Sequence, residues 1–189
     1  MKKNVFSLLL CASAIIVTTS CGNNGSNTDS KEAAKEQNEQ KFDNTSMEDD
    51  TKFAVAAADG GMLEVQLGQL AQTNGSSAQV KQLGQMMVDD HSKANEELKA
   101  TAAQKNITLP TTLSENSQKK YDDLSKKNGA DFDKAYADMM VDDHEKDIDE
   151  FKKEASDGKD ADLKNWAAGK VPVLEHHLEM AKSTKDAVK

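Results

Sequence analysis

The chain contains no arginine. Each of its 24 basic residues is lysine, set against 33 acids, for a formal charge of −9. Grooves that read phosphate backbones use guanidinium forks or a basic stripe. Neither is present, so no nucleic-acid partner is expected. Aromatics make up only 4% of the 189 residues. A core must then be filled by Leu, Val, Ala and Met, which favours helix on helix over sheet on sheet. Two prolines in the whole chain permit long helices. The two cysteines, Cys11 and Cys21, both lie near the N-terminus, so a folded domain beyond them has no disulfide. Gly-rich phosphate loops, a Gly-x-Ser-x-Gly elbow and a free thiol nucleophile are also missing.

What is present begins with an export signal. Lys2 and Lys3 form a positive start, Phe6 to Val17 is apolar, and Thr18, Thr19 and Ser20 precede Cys21. This reads as a secretory leader over 1–20, too short to span a bilayer. The cysteine after small residues resembles the lipobox of bacterial lipoproteins, although Thr18 stands where leucine is usual. That resemblance implies acylation at Cys21, a membrane partner through the lipid, and a place in the cell envelope, at the outer membrane or its periplasmic face. An ordinary secretory leader is the alternative. Loss of Lys2 and Lys3 leaves 22 lysines against 33 acids, a formal −11, so anionic headgroups would not attract the mature surface. Residues 21–47 are rich in Asn, Ser, Lys, Glu and Gln and read as a flexible tether. The domain is expected over 48–189.

Within the domain one hexapeptide occurs twice. Met-Met-Val-Asp-Asp-His stands at 86–91 and again at 139–144. Each copy lies in helical patterning. Apolar spacing predicts long helices over about 48–73, 77–105, 130–156 and 160–186, with a short helix over about 113–127 between the second and third. Asn74-Gly75-Ser76-Ser77 reads as a stop and restart, with a left-handed cap at Gly75 and an N-cap at Ser76 or Ser77. Gly60-Gly61 marks a kink or a close helix approach, and Pro172 a kink or restart. Acid runs such as Glu48-Asp49-Asp50 and Asp122-Asp123 read as solvated faces. The fold class is all-α: an antiparallel four-helix bundle with one short extra helix.

Four ionisable residues occupy apolar seam positions. His91 falls in the series Val80, Leu83, Met87, Ala94, Leu98, Ala102; His144 follows Met140 and precedes Ile148; His177 follows Leu174; Glu64 precedes Leu67 and Ala71. His176 is rotated ~100° from its seam. Burying four such groups without mutual use is costly, so they pair, bind something, or both. Three imidazoles and a carboxylate make a plausible site for one divalent metal: Zn, Fe, Mn or Cu. Asp90 and Asp143 are placed to orient imidazoles of other helices. A Glu-x-x-His pair for a dinuclear iron centre is absent. Methionines 62, 86, 87, 139, 140 and 180 read as packing before copper ligands.

Several motifs together resemble domain-of-unknown-function family 4142, described as exported or outer-membrane proteins with a ferritin-like bundle. They are Glu64-Val65-x-Leu67-Gly68-x-Leu70-Ala71, Met87-Val88-x-Asp90-His91-x-x-Ala94-Asn95-x-x-Leu98, Phe132-Asp133-x-x-Tyr136, Met140-Val141-x-Asp143-His144 and Pro172-x-Leu174-x-x-His177-Leu178. They span about 50–185 in order. Gly84 and Val171 depart from the pattern at packing positions. The resemblance implies a ferritin-like fold and a polar core of Glu64, Asp90, His91, Asp143, His144 and His177, with no settled activity.

Three functional expectations follow. The first is a non-enzymatic, lipid-anchored envelope protein that binds a metal through Glu64, His91, His144 and His177. The second is a structural or stress-associated interaction module whose polar layer fixes helix register. The third is a metal-dependent oxidoreductase, least supported because no carboxylate-bridged pair is visible.

Overall fold

The computed structural model describes residues 29–189. The expected leader and Cys21 lie outside the described residues. Six helices make up the described chain: α1 Ser30–Phe42, α2 Glu48–Asn74, α3 Ala78–Gln104, α4 Glu115–Ser125, α5 Gly129–Asp157 and α6 Ala161–Ala187. The four long ones form a closed ring of neighbours, α2 along α3, α3 against α6, α6 along α5, and α5 against α2. Among the described residues no helix is long and apolar enough to cross a membrane.

The ring closes around two apolar layers. One gathers Leu63, Leu67, Leu83, Met87, Phe132, Tyr136 and Met140. The other gathers Ala54, Ala58, Leu98, Ala102, Ile107 and Leu163. Buried His91 and His177 fall between them along α3 and α6, and buried Glu64 and His144 adjoin the first layer along α2 and α5. Methionines 87 and 140 belong to the first layer, and Met62, Met86 and Met139 pack against it, while Met180 is exposed.

The α2–α3 crossing is set by glycine. A Cβ on Gly84 would lie 2.6 Å from the Ala71 Cβ and 2.8 Å from the Gly68 carbonyl oxygen, and one on Gly68 would lie 2.5 Å from the Gly84 oxygen. The unusual glycine at 84 therefore lets the two backbones touch. At Gly61 the neighbour is the Asn95 side chain of α3, whereas Gly60 faces open space, so the pair marks a close approach.

Three buried aspartates hold the junctions. Asp133 accepts the Ser76 and Ser77 amides ahead of α3. Asp59 accepts the Ser114 amide and both the Ser114 and Ser117 hydroxyls at the start of α4. Asp50 accepts the Lys159 and Asp160 amides ahead of α6. Asp50 is 1% exposed, which corrects the reading of Glu48-Asp49-Asp50 as wholly solvated. Ser77 is the N-cap of α3. Gly75 corrects the expectation of a left-handed cap: its φ is −69° and its amide donates to the Ala71 carbonyl. Helix α6 continues through Pro172 without a restart.

The tether expected over 21–47 is also corrected from residue 30 onward. Helix α1 docks on the domain with Ala34 and Asn38 each 2% exposed. The Asn38 amide group donates to the Thr108 carbonyl and accepts from the Thr108 amide. Lys31 pairs with Asp59, and the Ser30 hydroxyl accepts the Thr111 amide. Docking uses backbone groups of the α3–α4 loop, which an apolar-periodicity reading cannot detect.

Candidate metal centre

Each histidine reaches the ring's interior from a different helix: His91 from α3, His144 from α5 and His177 from α6. His144 is wholly buried, His177 is 1% exposed and His91 8%. One ring nitrogen of each lies within 4.8 Å of those of the other two. Their rings stand edge to face or tilted, with centroids 5.3–5.8 Å apart. His176 is exposed.

The outward nitrogens have partners that decide the tautomers. His144 Nδ1 lies 2.9 Å from the Met140 carbonyl oxygen, which only accepts, so that nitrogen carries a proton. His177 Nε2 lies 2.8 Å from Asp90 Oδ2 and donates to it. His91 Nδ1 lies 3.0 Å from Glu64 Oε2. Glu64 Oε1 also stands 3.4 Å from His144 Nδ1. That distance and the Met140 carbonyl's prior claim on the proton make it an electrostatic contact, and Oε1 has no hydrogen-bond partner.

Three nitrogens then remain: His144 Nε2, His177 Nδ1 and His91 Nε2. The first two face each other at 3.3 Å, and His91 Nε2 is buried with no partner. A hydrogen bond between His144 and His177 would require a third proton on two rings whose outward contacts already use one each. Burial opposes that proton. It lowers His144, and it pushes His177 down to about 4 despite the Asp90 hydrogen bond. With both rings neutral, two lone pairs point at one another. Tetrahedral coordination with metal–nitrogen bonds of about 2.0–2.1 Å places neighbouring nitrogens about 3.3 Å apart, which matches that spacing.

His91 behaves differently. Burial lowers its pKa, but the charge and hydrogen bond of Glu64 more than reverse this, so the net shift is upward. For Glu64 burial is the largest influence and raises the pKa, yet the surrounding imidazoles, His91 first, outweigh it and hold the carboxyl well below its usual range. The His91–Glu64 contact therefore favours the charged forms of both groups, beside two rings that burial holds toward the neutral form.

A family model described as "Domain of unknown function (DUF4142)" matches residues 30–184. The chain belongs to that family. No curated protein and no solved structure matches it. The match begins at the first residue of α1, so this DUF4142 domain includes the docked helix.

Glu64 sits behind two of the rings, at their Nδ1 atoms, and stands outside the trio. Asp90 serves His177 of α6. Asp143, expected to orient an imidazole, is a correction: both its oxygens accept from Lys120 of α4, at 2.8 and 3.0 Å. Half-buried Asp147, one turn beyond His144, was not among the expected site residues. Burial first, then the charges of Glu64, Asp143 and Glu150, push its carboxyl up to about 8. Its sequence signal was the i+3 spacing from His144, which puts both on one helix face.

Proposed function

We propose that this DUF4142 domain is a ferritin-like four-helix bundle that binds one divalent transition metal through His91 Nε2, His144 Nε2 and His177 Nδ1. The carrying observation is the placement of the ring nitrogens. Each imidazole gives its N–H to an outward anchor, Glu64, the Met140 carbonyl or Asp90, and its remaining nitrogen turns inward. Imidazole ligands backed by carboxylate or carbonyl acceptors are the usual metal-site arrangement. Imidazole ligation suits Zn, Cu and Fe, and intrinsic affinity at such a site rises from Mn through Fe to Cu and falls back at Zn. Glu64 then acts as an orienting partner for His91. The role is binding, with no enzymatic step assigned. The Cys21 motif supports a lipid-anchored place in the cell envelope.

Elemental analysis of tag-free protein tests the reading. Close to one metal per chain is expected, falling to background in His144→Ala. A second reading, a polar layer that only fixes helix register, draws on the Glu64–His91 pair, which satisfies part of the cluster without metal. Metal-free protein whose melting is unchanged by Zn, Cu, Fe or Mn would favour it.

A further inference from the structure

A cavity of about 100 Å³ opens between α3 and α6 beside the trio. His91 and His177 both line it, and His144 does not. Its other walls are apolar at Ala94, Phe151, Val173 and Leu174 and charged at Asp90, Lys93 and Lys170. His91, whose Nε2 is unpartnered, is thus both an inward ligand and a wall of this space.

We propose that this cavity admits a small monoanion of about three heavy atoms or fewer to the fourth position of the bound metal; the inference rests on the metal-binding reading above. Three protein nitrogens on a tetrahedral ion leave one position for an exogenous ligand. Size follows from volume, since a water occupies about 30 Å³ and the space therefore holds about three such units. Charge follows from the surroundings. The three metal ligands are neutral imidazoles, the Asp90 carboxylate on the cavity wall is offset by the Lys93 ammonium, and Glu64 behind His91 balances only one of a divalent ion's two charges. Lys170, the other lysine of the cavity, is held by Glu97. A monoanion would displace a metal-bound water, forming one metal–ligand bond as the metal–water bond breaks, with no change of oxidation state.

The test uses the full protein loaded with Co(II), whose visible bands report coordination. Azide should shift the spectrum saturably with one equivalent per metal, and benzoate should not. Ala94→Phe, which fills the space, should keep one cobalt per chain and weaken azide at least tenfold. Lys93→Glu, a surface change, should weaken azide several-fold with folding and metal content intact. One cobalt per chain with no azide response overturns this inference and leaves the metal reading standing. An equal response to benzoate overturns the size limit and with it the assignment of this cavity. Failure to bind cobalt at all overturns both.

Discussion

Acidifying the metal-free protein should cost it stability through His177. The ring is 1% exposed, and burial lowers its pKa from 6.5 to about 4. Its folded value lies below the unfolded one, so between those two pH values the unfolded chain binds the proton and the folded chain does not. Stability from neutral His177 is therefore complete above about pH 6.5 and declines as the pH falls toward 4. Between about pH 7.5 and 4.5 the loss amounts to about 2–3 kcal/mol. Other groups respond in the same interval. His91, shifted upward by Glu64, gains stability on acidification, and Glu64, shifted downward, keeps its contribution until the pH approaches the unfolded carboxyl value. Comparing wild type with His177→Gln removes most of these shared terms. Urea unfolding at both pH values should show the wild type losing about 2–3 kcal/mol more than the variant. An equal pH dependence in the two proteins would refute the claim that a neutral, desolvated imidazole sits at this position.

Four further outcomes follow from the same geometry. Glu64→Gln should weaken metal affinity about 10–100-fold, measured by competition with a chromophoric chelator, because His91 loses the carboxylate that orients it. Zn binding near pH 6 should release close to one proton per metal, read as buffer-dependent heat in calorimetry, because His91 is the ring that must give one up; the release should vanish as the pH rises past the elevated His91 value. Gly84→Leu should destabilise by about 1–3 kcal/mol in chemical denaturation, since its side chain has only the Gly68 backbone and Ala71 to enter. Asp59→Ala should cost about 3 kcal/mol or more, because three donors at the start of α4 and the Lys31 ammonium lose one buried acceptor.

How far the sequence exposes this arrangement depends on what covers each helix. In the α3 series Val80, Leu83, Met87, His91, Leu98 and Ala102 are buried and Ala94 is half-buried, because one face of that helix meets α2 and α6 together. The N-terminal half of α2 is harder. Ala54, Val55, Ala58 and Asp59 are buried while Phe53 and Ala57 are only half-buried. Here α1 and α4 cover a second face, and a single-stripe pattern does not describe a helix wrapped on two sides. Helix α1 itself has no apolar stripe; it is held by Asn38 on the Thr108 backbone and by Lys31 on Asp59. The histidine positions are legible because an imidazole interrupts an otherwise apolar period. The partner of Asp143 is not, because it depends on where the short α4 sets Lys120.

The repeated hexapeptide shows why local sequence stops short of the site's chemistry. Both copies end in Val-Asp-Asp-His, yet the structure gives the copies opposite properties. Asp90 meets an imidazole, and Asp143 meets an ammonium. His91 lies on the Glu64 carboxylate and its pKa rises; His144 gives its proton to its own helix's Met140 carbonyl, is wholly buried, and its pKa falls. Identical residues at identical helical positions diverge because α3 is flanked by α2 and α6, whereas α5 is also overlaid by α4. That divergence matters for binding. Three equivalent cationic rings would repel one another and a metal alike, and three neutral rings would leave Glu64 a buried carboxylate without a counter-charge. One protonated ring would compensate Glu64 in the absence of an ion, and under the metal-binding proposal a divalent ion at the three inward nitrogens would replace that proton with a charge Glu64 can still balance.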